Sequence, residues 1–261
     1  MNSDIKPLAV GEIMNRAVAI YCKSFLGFVS LCAVIQIPLG LLGVLSEASV
    51  FSFVTLAVTS LIAFALLYAV LSLAVVQYLG DEKVRVIQCY FRVRSHVKSL
   101  SIVPVLLIAT VFFDIGMIYL AFRLGSILLM LVPLLVSIVV FVNMGMVICS
   151  ITIEGTNPWE ALTNGLILFK QSLPRSLGMG VIILASSMGF ALLLVLPFAI
   201  ANSWSGMVID GILTKLAWFT ASIIVTPLGG IALTLLYCDL RMRRGDQERE
   251  KLVNQMSLAL V

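Results

Sequence analysis

FSFVTLAVTSLIAFALLYAVLSLAVVQYL, from Phe51 to Leu79, contains no charged side chain. About 20 mostly apolar residues, rising about 1.5 Å each in a helix, cross the roughly 30 Å hydrocarbon core of a bilayer. This run is longer than that, so it must tilt or protrude. Five more runs meet the same requirement: Phe25 to Leu45 before it, then Ile102 to Phe122, Ser126 to Ile153, Leu177 to Ala201 and Ile212 to Tyr237. Backbone N–H and C=O groups in hydrocarbon must be satisfied internally, and the short alternating strands of a closed barrel are missing, so all six runs are expected to be helices. The expected fold class is all-α: a polytopic membrane protein with six transmembrane helices.

Composition points the same way. Of 261 residues, 61% are hydrophobic and 11% charged, and the mean hydropathy is +1.13. A soluble domain is roughly 45 to 50% apolar and about 25% charged. No segment between the runs is long enough to build a soluble core, so residues 1–240 are expected to form one membrane domain and residues 241–261 a short charged cytoplasmic tail. Cys22, Cys32, Cys89, Cys149 and Cys238 contain no CxxC pair, and they read as small apolar fillers rather than disulfide partners. Asp4 and Lys6 precede an amphipathic stretch without the features of a cleaved signal, so the N-terminus is expected to stay in the mature protein.

Lysine and arginine set the orientation. Of the 17 basic residues, all but Arg123 and Lys215 fall on one side of the threading. That side carries Lys6, Arg16 and Lys23, then Lys83, Arg85, Arg92, Arg94 and Lys98, then Lys170 and Arg175, and finally Arg241, Arg243, Arg244, Arg249 and Lys251. The positive-inside rule makes it the cytoplasmic side, with both termini there, in the cell's inner membrane.

The inner segments ahead of the first, third and fifth spans look alike. Met14, Ala17, Val18, Tyr21 and Phe25 form an apolar stripe, and Leu162, Gly165, Leu166, Phe169 and Leu173 repeat its spacing. Glu12, Asn15, Arg16 and Lys23 lie opposite the first stripe, and Glu160, Thr163, Asn164 and Gln171 opposite the second, as an interfacial amphipathic helix requires. Val86, Cys89, Tyr90, Val93 and Val97 fit between them in an ambiguous register, with Ser24, Ser99 and Ser172 as matching positions. Three units of about 74 residues follow, each an amphipathic inner helix and a helical hairpin. Pro38, Pro104, Pro133, Pro197 and Pro227 place one proline in every span but the second, each favouring a kink or a helix end.

Residues able to do chemistry are few. His96 is the single histidine, so no metal site and no hydrolase triad is expected, and it reads as an interfacial side chain beside Arg92 and Arg94. Gly178 and Gly180 lie inside a span with no strand before them and carry no nucleotide signal. No cofactor and no nucleic acid are expected. Trp159, Trp204 and Trp218 fall near predicted interfaces, where tryptophan is enriched.

Asp114 stands out, because helix rise puts it about 18 Å from the inner edge of the third span. A carboxylate at such depth costs at least about 2.5 to 3.5 kcal/mol unless it is neutralised, paired or wetted. It is either a proton- or cation-linked site or a structural group, paired with Lys215 or reaching the outer interface. Glu154 and Asp239 end the fourth and sixth spans near basic residues, with Arg241, Arg243 and Arg244 following Asp239. They serve either as anchors at the membrane boundary or, with Lys83, Arg85, Arg92, Arg94 and Lys98, as a patch for anionic lipid headgroups, at about 1 kcal/mol per cation.

LGGIALTLLYCDLRMRRGD, which follows Pro227 and ends at Asp246, resembles the closing motif of the bacterial membrane-domain family named after glycerophosphoryl diester phosphodiesterases. Val10, Gly11, Glu12 and Ile13 through Tyr21, and IEGTNPWEALTNGLILFK from Ile153 to Lys170, are similar to two further landmarks of that family. The resemblance implies a six-helix module that some relatives join to a soluble phosphodiesterase domain and many carry alone. This chain has no room for that domain, so the resemblance brings no phosphodiesterase activity and no active-site residue.

Three functions remain open on the residues. The first is a non-catalytic membrane module organising lipids or partners at the inner face. The second is a small transporter built on Asp114 and proline-bent helices, and the third is a lipid-acting enzyme using Asp114, Glu154 or Asp239. The topology is tested with single cysteines in a background without the native ones. Position 123 should react with an impermeant maleimide in intact cells and position 243 only after permeabilisation; labelling of both from one side would refute the threading.

Overall fold

The computed structural model describes residues 10–45, 50–80, 84–205 and 209–259, and among them every regular element is an α-helix. They are α1 (Val10–Lys23), α2 (Phe25–Leu45), α3 (Val50–Leu79), α4 (Val86–Leu100), α5 (Ile102–Leu124), α6 (Ile127–Glu154), α7 (Pro158–Gln171), α8 (Leu173–Ser205) and α9 (Ile209–Ala259). Six of them, α2, α3, α5, α6, α8 and α9, are long and apolar enough to cross a membrane. The order short helix, span, span therefore occurs three times, with the short helices at one end of the bundle.

Two boundaries differ from expectation for local reasons. The fifth span starts at Leu173, not Leu177, because Pro174 falls in the first helical turn, where its missing N–H is not needed. This brings Arg175 into α8. The sixth does not stop at Tyr237; α9 runs unbroken past residue 240 to Ala259, since no proline or left-handed glycine interrupts the polar stretch. Pro38, Pro133, Pro197 and Pro227 lie inside helices that continue through them. Pro104 is different, standing in the first turn of α5, where it removes no intrahelical bond.

Each short helix passes into its span at a serine, Ser24, Ser101 and Ser172, whose N–H still bonds to the carbonyl of Ile20, Val97 or Leu168 at 3.1 to 3.2 Å. The middle position is Ser101; Ser99 lies inside α4. Buried Ile13, Ala17 and Ile20 stand to Ser24 as buried Ala161, Gly165 and Leu168 stand to Ser172. In α4 the buried residues are Cys89, Val93 and Leu100, out of step with both. Ala17, Gly165 and Phe169 of the expected stripes are buried and Met14, Tyr21 and Leu162 pack partly buried against the core, while Ile13, Ile20, Ala161 and Leu168, outside those stripes, are buried as well. Val18, Leu166 and Val97 stay exposed. An interfacial helix has a wide apolar arc, part facing protein and part facing acyl chains, and hydropathy does not separate the two.

The core lies toward the end that carries the short helices. Buried residues concentrate in Ala65–Val75 of α3, Val142–Ile151 of α6 and Leu228–Leu240 of α9. Only 6% of the apolar stretch of α5 is covered by protein, against 50% for α6 and 61% for α9. So α3, α6 and α9 form the hub, while α5 stands outside it, packed chiefly on α6. Hydrogen bonds fix α1 to this hub and α4 to α2. Tyr21 donates to the carbonyl of Ile224 at 2.6 Å, next to the carbonyl that Pro227 leaves without a helical partner, and Tyr90 donates to that of Leu31 at 2.6 Å. Burial raises the pKa of both phenols, which keeps them donors. Inside the hub, Ser72 of α3 and Thr152 of α6 bond at 2.7 Å.

Gly180 lets α8 approach α6. A Cβ there would lie 2.6 Å from Val142 Cγ2 and 3.0 Å from Ile138 Cγ2, methyl groups of β-branched side chains that cannot rotate away freely. Nothing lies within 4 Å of a Cβ at Gly178. Gly180→Ala should destabilise the detergent-solubilised protein by about 1 to 3 kcal/mol, and Gly178→Ala should not. Equal melting temperatures for the two variants would show that this close approach is absent.

Candidate functional site at the cation-rich end

Three segments converge at the end that carries the short helices: the last residue of α6, the first turn of α8, and α9 from Tyr237 to Arg244. Gly155 closes α6 in the left-handed region at φ 68°, its N–H bonded to Ile151 O, and so turns the chain away immediately after Glu154. The Glu154 carboxylate faces α9. Tyr237 donates to its Oε1 at 2.5 Å, Arg241 Nε lies 2.9 Å from the same oxygen, and an Arg241 Nη donates to Oε2 at 3.2 Å. Tyr237 and Arg241 are one helical turn apart, so one face of α9 presents both. The result is a two-pronged guanidinium–carboxylate pair reinforced by a phenol.

Asp239 is more deeply placed, at 3% side-chain exposure. Its Oδ2 receives Arg243 Nε from one turn along α9 at 2.9 Å and faces an Arg175 Nη from α8 at 3.2 Å. Two guanidinium groups share one carboxylate, so this part of the cluster remains positive. Asp239 was expected to end a span. The helix α9 continues past it, and its burial is tolerable because two cations meet it there. Beside it, Leu168, Gln171, Ser172, Arg175, Leu240, Arg243 and Arg244 line a cavity of about 130 Å³.

The cations of α4 lie elsewhere. Arg85 precedes the helix, its N–H 3.5 Å from Gln77 Oε1 at the end of α3, and that oxygen also accepts from Cys89 Sγ at 3.3 Å. Burial raises the pKa of the Cys89 thiol. Arg85, Arg92, Arg94 and Lys98 are exposed, on a helix that also exposes Ile87 and Phe91. Among the described residues, no ion pair joins them to Glu154 or to Asp239. Lys83 lies outside the described residues.

Asp114 sits apart from both groups. Ser137 of α6 donates to its Oδ2 at 2.6 Å, while Oδ1 is shielded and has no hydrogen-bond partner among the described residues. The expected pairing with Lys215 falls on a side chain outside those described. Polar groups do meet within the spans, but at another place: Gln36 Nε2 donates to Thr226 Oγ1 at 3.2 Å, and Ser222 donates to Gln36 Oε1 at 3.1 Å. They border a cavity of about 270 Å³ between α2, α3 and α9, whose lining does not include Asp114. The candidate intramembrane residues thus fall into two unconnected places.

Reasoning from residues alone had not singled out Tyr237, Gln36 or Gln171, and had used Arg175 only for topology. Pro174 was the available signal for Arg175, since a proline marks a first turn. For Tyr237 it was the one-turn spacing to Arg241. Comparison with known proteins finds no family model, no curated protein and no solved structure that matches the chain.

Removing the Asp239 charge leaves two guanidinium groups facing each other. Asp239→Asn should cost about 2 to 4 kcal/mol, somewhat under the fully buried range because Arg243 is partly exposed. Glu154→Gln keeps an acceptor for Tyr237 and loses a more exposed pair, so it should cost about 1 kcal/mol or less. Thermal unfolding in one detergent checks the order; an Asp239→Asn protein as stable as Glu154→Gln would contradict the shared-carboxylate geometry.

Proposed function

We infer from six helices long and apolar enough to cross a membrane that the chain is a multi-pass integral membrane protein. We propose that it has no catalytic centre of its own and organises anionic lipids or partner proteins at the inner face of the cell's inner membrane, with both termini cytoplasmic. The exposed basic face of α4 is the observation that carries this reading. Arg92, Arg94 and Lys98 reach solvent on a helix whose Ile87 and Phe91 are also uncovered, the combination that seats a helix in a charged interface. Two further features support it. Glu154 and Asp239 are held by arginines rather than open to a substrate, and Tyr21 and Tyr90 anchor two of the three short helices firmly to the spans. Membership of the phosphodiesterase-associated membrane-domain family is part of the proposal and rests on the short motifs at the two ends and around residues 153–170.

Transport is the second reading, and the shielded Asp114 Oδ1 without a partner favours it. Against it stands the separation of Asp114 from Gln36, Ser222 and Thr226, since a translocation site needs its polar groups together. One comparison divides the two readings. With the full chain in mixed neutral and anionic bilayers, reversing Arg92, Arg94 and Lys98 to Glu should cut co-purified anionic lipid at least threefold and release any stoichiometric partner, while Asp114→Asn should match wild type. Unchanged lipids and partners in the reversed protein, with a proton flux in proteoliposomes that Asp114→Asn abolishes, would replace the scaffold with a transporter.

A further inference from the structure

The cavity between α7, α8 and α9 has the chemistry of an anion site. Arg175 and Arg243 share the single carboxylate of Asp239, and Arg244 adds a third guanidinium to the wall. Nε of Arg175 and one Nη of Arg243 are shielded from solvent and have no hydrogen-bond acceptor among the described residues. A shielded donor left unmade is unfavourable, and more so when it is charged, so these arginines are short of acceptor oxygens. Gln171 and Ser172 supply neutral hydrogen-bonding groups on the opposite wall. The volume of about 130 Å³ is several times the share of one water, about 30 Å³. It is far too small for a whole lipid.

We propose that this cavity binds a phosphate group, with Arg175 and Arg243 donating to its oxygens and Arg244 adding positive charge. Arginine suits this task because its planar fork matches two oxygens of one phosphate. Depth fits as well. Arg175 stands in the first turn of α8, and Leu240 to Arg244 lie at the end of the apolar part of α9, where that helix leaves the bilayer. The same chemistry admits a lipid headgroup phosphate entering from the leaflet or a free phosphate entering from solvent. The proposal deepens the inner-face reading, on which it rests for the identity of the leaflet, but it uses none of the α4 cations.

Two substitutions test it in the full chain. Gln171→Glu, at an exposed side chain, puts a competing carboxylate at the rim without touching an ion pair. Arg175→Lys keeps the charge next to Asp239 and loses the fork. Inorganic phosphate binding is measured by calorimetry in nanodiscs of phosphatidylcholine, and retention of phosphatidylglycerol by native mass spectrometry after mixed nanodiscs. Wild type should bind in at least one arm, and each substitution should weaken that binding tenfold or more. Binding only in the calorimetric arm identifies free phosphate, and binding only in the retention arm identifies the headgroup. Absence of binding in both arms, or unchanged binding in both variants, would overturn the site. The α4 charge reversal should leave this binding within twofold of wild type, so the pocket and the α4 face stand or fall separately.

Discussion

A polypeptide in hydrocarbon has no water to complete its hydrogen bonds, and everything else in this protein follows from that constraint. It makes each long apolar run a helix. It also shifts the problem to helix ends and to polar side chains, which must find partners within the protein or reach the headgroup layer. The serine passages at Ser24, Ser101 and Ser172 answer part of it, since each serine N–H still bonds to a carbonyl of the short helix before it. Tyr21 and Tyr90 add donors to span carbonyls, and Gly155 closes α6 without leaving its last turn open.

Packing is unequal along the spans because apolar side chains gain little by leaving lipid for protein. Small residues, close backbones and polar contacts decide where helices meet instead. That is why α3, α6 and α9 join through Ala69, Ala74 and Ala232, the Ser72–Thr152 bond and close-packed glycines, while α5 keeps most of its surface for acyl chains. The ion pairs of Glu154 and Asp239 lie where this hub meets the headgroup layer. Charge there is partly hydrated, and arginine stems can pack on apolar surface while their heads remain paired.

Much of the architecture was legible in the residues. Span number came from uninterrupted apolar length, and the two boundaries that differ, the start of α8 at Pro174 and the polar continuation of α9, depend on features that hydropathy does not register. The short helices were legible as amphipathic, and Ala17, Gly165 and Phe169 of their stripes are buried, but Ile13 and Met14 are both apolar and only docking on α9 buries the first more fully. Ser99 was taken for Ser101 because α4 is out of step with α1 and α7. Of the candidate site, Glu154, Asp239, Arg241, Arg243 and Arg244 were legible as charges at a span end. Their partition was not: Glu154 takes Arg241 and Tyr237, while Asp239 takes Arg243 and Arg175.

By itself the sequence determined that this chain carries six runs long and apolar enough to cross a bilayer, because transfer from water to hydrocarbon acts on each side chain where it stands and sums along the chain. Tertiary structure alone decided which acid meets which arginine, which apolar arc faces protein, and that Asp114 and the Gln36 cluster occupy separate places. Those outcomes depend on distances between helices far apart in the chain, and no local property of the residues encodes them.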